Sequence, residues 1–388
     1  MSVQRAIWSR FEPVDLNEHE LALQQHVREF LREELPRGTY VPGLGMNAAP
    51  DPEFSKKLAT RGWLGMALPR RYGGGDRSVV ERFVVTEELL RWGAPTGHHW
   101  IADRQSGPVI NRFGTEEQKT RFLPGICRGE LAFSIGMSEP DAGSDLASVK
   151  TRAERVDGGW LVNGTKVWTT GAHRNDWLIT LCRTTEEADR HRGLSQLIID
   201  LRGDGVQVKG IPFLDGTSDF NEVALRDVFV PDDLLLGEPG SGWAQSGSEL
   251  AYERGGPERW LSTYIVAEQF LRELQAEGRP LPAGVAQLFG EAVARWWCLR
   301  GMSLGVARRL DAGENAAVDA ALVKEMGTRF EQDVLAAIER LADLEPSPQS
   351  ASLFERLLVT SVLAAPSYTL RGGTTEVLRS VVMKGLTA

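Results

Sequence analysis

Ser138-Glu139-Pro140-Asp141-Ala142-Gly143-Ser144-Asp145 places two hydroxyls on a loop, and Lys166-Val167-Trp168-Thr169-Thr170 adds an indole ring and two more hydroxyls. The surroundings alternate like β-structure. Hydroxyls beside a large aromatic face suit a flat, polyhydroxylated, phosphorylated cofactor. The bland alternative for Trp168 is a half-buried strand aromatic. A second chemical pair lies in Leu250-Ala251-Tyr252-Glu253-Arg254-Gly255, where a carboxylate adjoins a guanidinium in a helical stretch. Taken alone, Glu253 and Arg254 also read as an ordinary helix-surface pair. A third segment, Arg371-Gly372-Gly373-Thr374-Thr375-Glu376, runs from a glycine turn into a helix, where Glu376 fits the positive end of the helix dipole.

Other reactive side chains offer less. His98-His99 and His173 stand out among the six histidines, but no His-x-x-x-His or His/Cys spacing is present, so no metal site is expected. His173 closely follows Thr170, with a cofactor-edge role and a structural role both open. Asp103-Arg104-Gln105 reads as a link between helical stretches. Arg71-Tyr72-Gly73-Gly74-Gly75-Asp76 lacks the preceding strand and Gly-Lys-Ser/Thr ending of a phosphate loop.

These residues must be positioned by a chain of 388 residues, long enough for several domains. The first third reads as helical. Asn17 with Glu20 marks a helix start, and Leu23, Val27, Phe30 and Leu31 follow at helical spacing until Pro36-Arg37-Gly38. Further helices are expected near 51–61, 78–92 and 115–122. From 131 the pattern turns to short strands at 160–162, 166–168, 177–181, 196–200, 206–208, 223–225 and 228–230. Asp157-Gly158-Gly159 and Asn163-Gly164 are read as turns between strands. From 242 helices return, near 242–275, 283–310, 314–343 and 350–365, with a short last one from 374. The expected fold class is therefore α+β multidomain: an N-terminal helical domain (1–130), a middle β-barrel-like domain (131–240) and a C-terminal four-helix bundle (241–388).

Bulk properties exclude several function classes. The net charge is −9 and no basic run stands out, so no nucleic-acid partner is expected. No apolar run reaches membrane-span length, so no membrane partner is expected either. Three scattered cysteines suit a reducing compartment, and MSVQRAIWSRFEP has no apolar core of signal-peptide length; a cytoplasmic location is expected. Most of the eleven tryptophans are read as core and interface fillers.

Across nearly its whole length the sequence resembles the flavin-dependent acyl-CoA dehydrogenase family. The resemblance rests on the 138–145 loop and the 166–170 segment, and it implies FAD as cofactor. Ser138 and Ser144 would contact the flavin ring and pyrophosphate, Trp168 would lie against the ring, and Thr170 would face N5. Thr374 and Glu376 match positions that touch the flavin in relatives. In the family the flavin lies between the β-domain and the bundle, and a neighbouring chain completes the site. The family commonly keeps its catalytic base as the Glu of a Tyr-Glu-Gly-Thr segment, where this chain has Gly372. Members acting on branched or bulky chains carry the base on the first long bundle helix, in a Glu-Arg pattern that matches Glu253 and Arg254. The resemblance thus implies Glu253 as base, Arg254 near the flavin or CoA, and the Gly372 N–H as a donor to the thioester oxygen.

The implied reaction is α,β-dehydrogenation of an acyl thioester, carried on CoA or a carrier protein, to the trans-2-enoyl product. An electron-transferring flavoprotein would take the electrons. The implied assembly is a homo-dimer or homo-tetramer, or a hetero-tetramer. Two further family features are weak or absent: Phe289-Gly290 has no Arg shortly before it, Arg279 being the closest, and 341–348 reads Leu-Ala-Asp-Leu-Glu-Pro-Ser-Pro where Gln-x-x-Gly-Gly would fall. Two rivals follow: a non-catalytic or half-site subunit of a mixed assembly, as in some relatives, and a flavin monooxygenase of the same fold.

Overall fold

In the computed structural model, residues 15–45, 48–276, 278, 280–342 and 347–387 are described, with 248–253 described by backbone alone. In chain order the helices are α1 (Glu18–Glu34), α2 (Pro52–Thr60), α3 (Val79–Trp92), α4 (Gly107–Phe113), α5 (Glu116–Cys127), α6 (Gly242–Arg254), α7 (Tyr264–Ala276), α8 (Ala283–Asp311), α9 (Ala317–Ala342), α10 (Leu353–Tyr368) and α11 (Thr375–Thr387). The strands are β1 (Phe133–Gly136), β2 (Arg152–Val156), β3 (Gly159–Thr170), β4 (Trp177–Arg183), β5 (Leu194–Asp200), β6 (Val206–Gly210), β7 (Phe220–Pro231) and β8 (Leu235–Leu236). The order is helical, then β, then helical, as expected for this α+β fold.

Local chemistry starts the helices. Asn17, Ser78 and Thr115 each cap a helix in a reciprocal capping box with Glu20, Glu81 and Gln118. The chain forms two compact units, one of 1–49, 78–96 and 251–388, the other of 50–77 and 97–250.

In the second unit the sheet runs β6-β7-β3-β2-β4-β5-β8, with β1 parallel to β4. Val162, Leu178, Ile179, Leu197, Ile198 and Val223 share one core with Phe122 and Ile126 of α5. Strands β1, β2 and β8 fall outside the expected stretches, and two strand boundaries also differ. Asn163-Gly164 is no turn, because β3 continues through it, paired with β7 on both sides. Gly164 is required there: a Cβ would lie 2.3 Å from Thr151 Oγ1. Likewise 223–225 and 228–230 belong to the single strand β7.

In the first unit α1 and α3 pack together, and α3 also packs against α8. Arg308 of α8 grips Glu20 at 2.6 Å through two nitrogens, and Arg300 grips Glu87 at 2.6 and 3.0 Å. Asp311 caps α3 by accepting from the N–H groups of Val79 (2.5 Å) and Val80 (3.2 Å). The helix expected over 242–275 is broken into α6 and α7. Gly255-Gly256-Pro257 supplies the break: Pro257 has no N–H to continue the helix, and a Cβ on Gly255 would lie 2.6 Å from Val306 Cγ1. No helix among the described residues is long and apolar enough to cross a membrane.

Candidate active site

The first group of site residues lies in the β-rich unit. Pairing partners jump from Lys166↔Val223 to Thr169↔Asn221, so β3 carries one extra residue there, a β-bulge. The bulge puts Trp168 at φ +58°, in the left-handed region that bulky residues avoid. Its ring is 58% exposed, while Thr169 beside it is fully buried. The bulge thus presents an aromatic face to the outside and not to the core. Phe220 meets the indole edge-on, with centroids 6.2 Å apart. Thr170 is half-buried, and its carbonyl accepts from Ser134 Oγ at 2.8 Å.

The 138–145 loop is fastened beside this ring. The Val167 N–H donates to the Ser138 carbonyl at 2.9 Å, one residue before the indole. Glu139, almost wholly buried, accepts from Lys166 Nζ (2.8 Å), the Thr151 N–H (2.9 Å) and the Lys150 N–H (2.6 Å). Lys166, fully buried, also donates to the Met137 carbonyl at 3.2 Å. Burial pushes the Glu139 carboxyl up, but the Lys166 ammonium and the Thr151 and Lys150 donors outweigh it and hold it below the usual range. Sequence reasoning missed this pair; its signal was a charged residue inside a stretch of β alternation. Ser144 is exposed on the outer part of the loop, next to Asp145, which accepts from Ser148 Oγ at 2.6 Å. An outward indole flanked by Ser138 and Thr170, on a loop and strand locked together, fits the flat, hydroxylated FAD.

The second group lies in the helical unit. Arg254 is buried, and its Nε donates to the Gly372 carbonyl at 2.9 Å. Lys324 Nζ donates to the Gly373 carbonyl at 2.7 Å. Arg371 is tied to Ser262 Oγ (2.9 Å) and Glu331 (3.4 Å). Gly372 and Gly373 have φ of +70° and +103°, which explains glycine at both. Glu331 is fully buried; burial pushes its carboxyl up, against the lowering effects of Arg371 and the Ser262 N–H. Thr374 caps α11 by accepting from the Val377 N–H at 3.4 Å. Glu376 is exposed, and its own backbone N–H and the Thr374 hydroxyl hold its carboxyl low. The side chain of Glu253 lies outside the described residues, as do Arg279 and 343–346.

The remaining candidates have structural partners. His98 Nε2 meets the Gly129 carbonyl at 3.2 Å, His99 Nδ1 meets Ser55 Oγ at 2.8 Å, and His173 Nδ1 meets Asn221 Oδ1 at 3.0 Å. Asp103-Arg104-Gln105 does sit between helical stretches. It forms a π-helical turn continuous with α4, and Asp103 accepts from the Gly65 N–H at 2.6 Å. Phe289 stacks on Phe270 within the helical unit. No metal-binding cluster occurs among the described residues.

Residues 17–130 match the acyl-CoA dehydrogenase N-terminal domain, and residues 134–228 match the middle domain. Acyl-CoA dehydrogenase FadE29 of Mycobacterium tuberculosis is 30% identical over 95% of this chain and 96% of its own length. This chain belongs to the acyl-CoA dehydrogenase family. It is a flavoprotein of that family, with FAD as its cofactor. Acyl-CoA dehydrogenase IpdE1 of the same organism is 38% identical over 63% of each chain, so the match spans less than two thirds of that relative's length. Among solved structures, the Tcur3481-Tcur3483 steroid ACAD superimposes with a TM-score of 0.84 at 29% identity, covering 97% of this chain and 99% of that one. The ChsE4-ChsE5 complex from Mycobacterium tuberculosis gives 0.81 at 26% identity, covering 97% and 99%.

Proposed function

We propose that this family member dehydrogenates an acyl thioester at Cα–Cβ, with Glu253 as base and the Gly372 N–H as donor to the thioester oxygen. The observation that carries this reading is the Arg254–Gly372 hydrogen bond. It brings the residue that follows Glu253 onto Gly372, the position where the family commonly keeps its base, 118 residues away in sequence. Glu253 directly precedes Arg254 in α6, so loss of a carboxylate at 372 is compatible with its supply from 253.

In the proposed reaction Glu253 takes the Cα proton while the Gly372 N–H stabilises the negative charge growing on the carbonyl oxygen. Bound FAD supplies the acceptor for the hydride that leaves Cβ, so both C–H bonds break as the Cα=Cβ double bond forms and the thioester stays intact. Trp168, Ser138, Ser144, Thr170, Thr374 and Glu376 are the residues proposed to hold it. Arg254, held to the turn through its Nε, is the residue proposed to lie near the flavin or the CoA part of the ligand. A large acyl group is favoured, because the Glu-Arg placement suits bulky chains and one solved relative is described as a steroid ACAD. The electron acceptor in this reading is an electron-transferring flavoprotein.

Glu253→Gln tests the assignment. It keeps shape and hydrogen bonding but cannot take a proton. Anaerobic single-turnover flavin bleaching by an acyl thioester should slow by about 10²–10⁴-fold with FAD content unchanged. Gly372→Glu in that background should restore part of the rate. Bleaching at the parent rate would place the base elsewhere.

A second reading, a half-site subunit of a mixed assembly, is favoured by the missing Gln-x-x-Gly-Gly at 341–348. It is also favoured by the two-component descriptions of the Tcur3481-Tcur3483 and ChsE4-ChsE5 structures.

A further inference from the structure

Lys324 lies about two turns into α9 with no exposed surface. Withdrawing an ammonium from water is costly, and the interactions that compensate it show what the charge is there to hold. Its Nζ donates to the Gly373 carbonyl at 2.7 Å. The neighbouring carbonyl, of Gly372, is taken by Arg254, and the residue before that, Arg371, is anchored by Ser262 and Glu331. Two consecutive carbonyls are thus each held by a cation, and the residue before them is anchored through its own side chain. A trans peptide is planar, with C=O and N–H pointing in opposite directions. Holding the Gly373 carbonyl therefore fixes the direction of the Thr374 N–H, and holding the Gly372 carbonyl fixes that of the Gly373 N–H. Glycines at φ +70° and +103° have the widest backbone freedom of any residue, so an unheld turn would wander.

We infer that Lys324 is a positioning residue: from α9 it fixes the Gly373–Thr374 peptide so that Thr374 meets its ligand in one orientation, and together with Arg254 it restrains the turn that carries the Gly372 N–H. This rests on the Gly372 assignment made under the proposed function. The ammonium supplies orientation only and neither gives nor takes a proton in the reaction.

The test compares Lys324→Met with Lys324→Gln in the FAD-loaded protein. Methionine keeps the length and apolar stem but has no donor; glutamine retains a neutral donor and covers the case in which Lys324→Met fails to fold. The first readout is amide hydrogen exchange over 369–377. Lys324→Met should speed exchange at Gly373 and Thr374 by at least tenfold with the rest of α9 unchanged, and Lys324→Gln should recover part of the protection. The second readout is flavin reduction by an acyl-CoA. kcat should fall by about 10–100-fold with KM little changed, the pattern of a misplaced transition-state donor. Parent-like exchange at 372–374, or a uniform rise along α9, overturns the inference. If the parent protein itself is reduced by no thioester, the dehydrogenase reading fails, while the exchange comparison still decides whether Lys324 holds the turn.

Discussion

Trp168 is the residue at which backbone and function pull apart. A left-handed backbone costs a bulky residue on the order of 1–2 kcal/mol, and here that strain presents an indole that is 58% exposed. Removing the ring should therefore not cost what removal of a core tryptophan costs. Trp168→Gly should be about 1 kcal/mol more stable than Trp168→Ala in urea unfolding of the apoprotein, because only glycine relieves φ +58°. Both variants should lose FAD affinity, read by flavin fluorescence. If Ala proves as stable as Gly, the backbone at this bulge is not strained. The sequence placed an aromatic ring at 168 but could not indicate its exposure. That depends on the extra residue in β3, and the bulge exists only once β3 is registered against β7.

At the scale of elements, the 138–145 loop and strand β3 behave as one piece because of Glu139 and Lys166. Lys166→Met leaves a buried carboxylate without its cation and should destabilise by about 3–5 kcal/mol, whereas Lys166→Met with Glu139→Leu should recover much of that loss. A double-mutant cycle by chemical denaturation measures both. The pH dependence has a definite sign. Glu139 is held below the usual carboxyl range in the folded protein. Its stabilisation is therefore present above the unfolded value of about 4.3 and is lost as pH falls through the folded value. Acidification below about pH 4 should release FAD in step with loosening of the loop, and Glu139→Gln should flatten that part of the profile. Acid release unchanged in Glu139→Gln would show that another carboxylate governs it. The element boundaries most legible in the sequence were those with capping boxes, since Asn17, Ser78 and Thr115 act within their own first turn. Asn163-Gly164 misled because its turn preference is weaker than continuous pairing of β3 with β7.

At the scale of the whole molecule, the family resemblance implies a site completed by a neighbouring chain. FAD retention should then depend on assembly. Sedimentation combined with flavin stoichiometry should show full occupancy only in an oligomer, and a stable monomer holding one full FAD would defeat this expectation. About half an equivalent per chain, gained only with a partner chain, would favour the half-site reading. What the sequence determined by itself was local: the order of helical and β segments, the hydroxyl and aromatic set at 138–170, and the absence of a side chain at Gly372. Periodicity, capping and turn chemistry act over a few residues and can be read in one dimension. Tertiary structure alone decided that α1 and α3 pack in the same unit as the last third of the chain, and that Arg254 and Lys324 meet the Gly372–Gly373 turn across 118 and 49 residues. No local pattern names the acceptor for a buried cation. That choice arises only when folding removes water and leaves each charge the partners the chain has brought beside it.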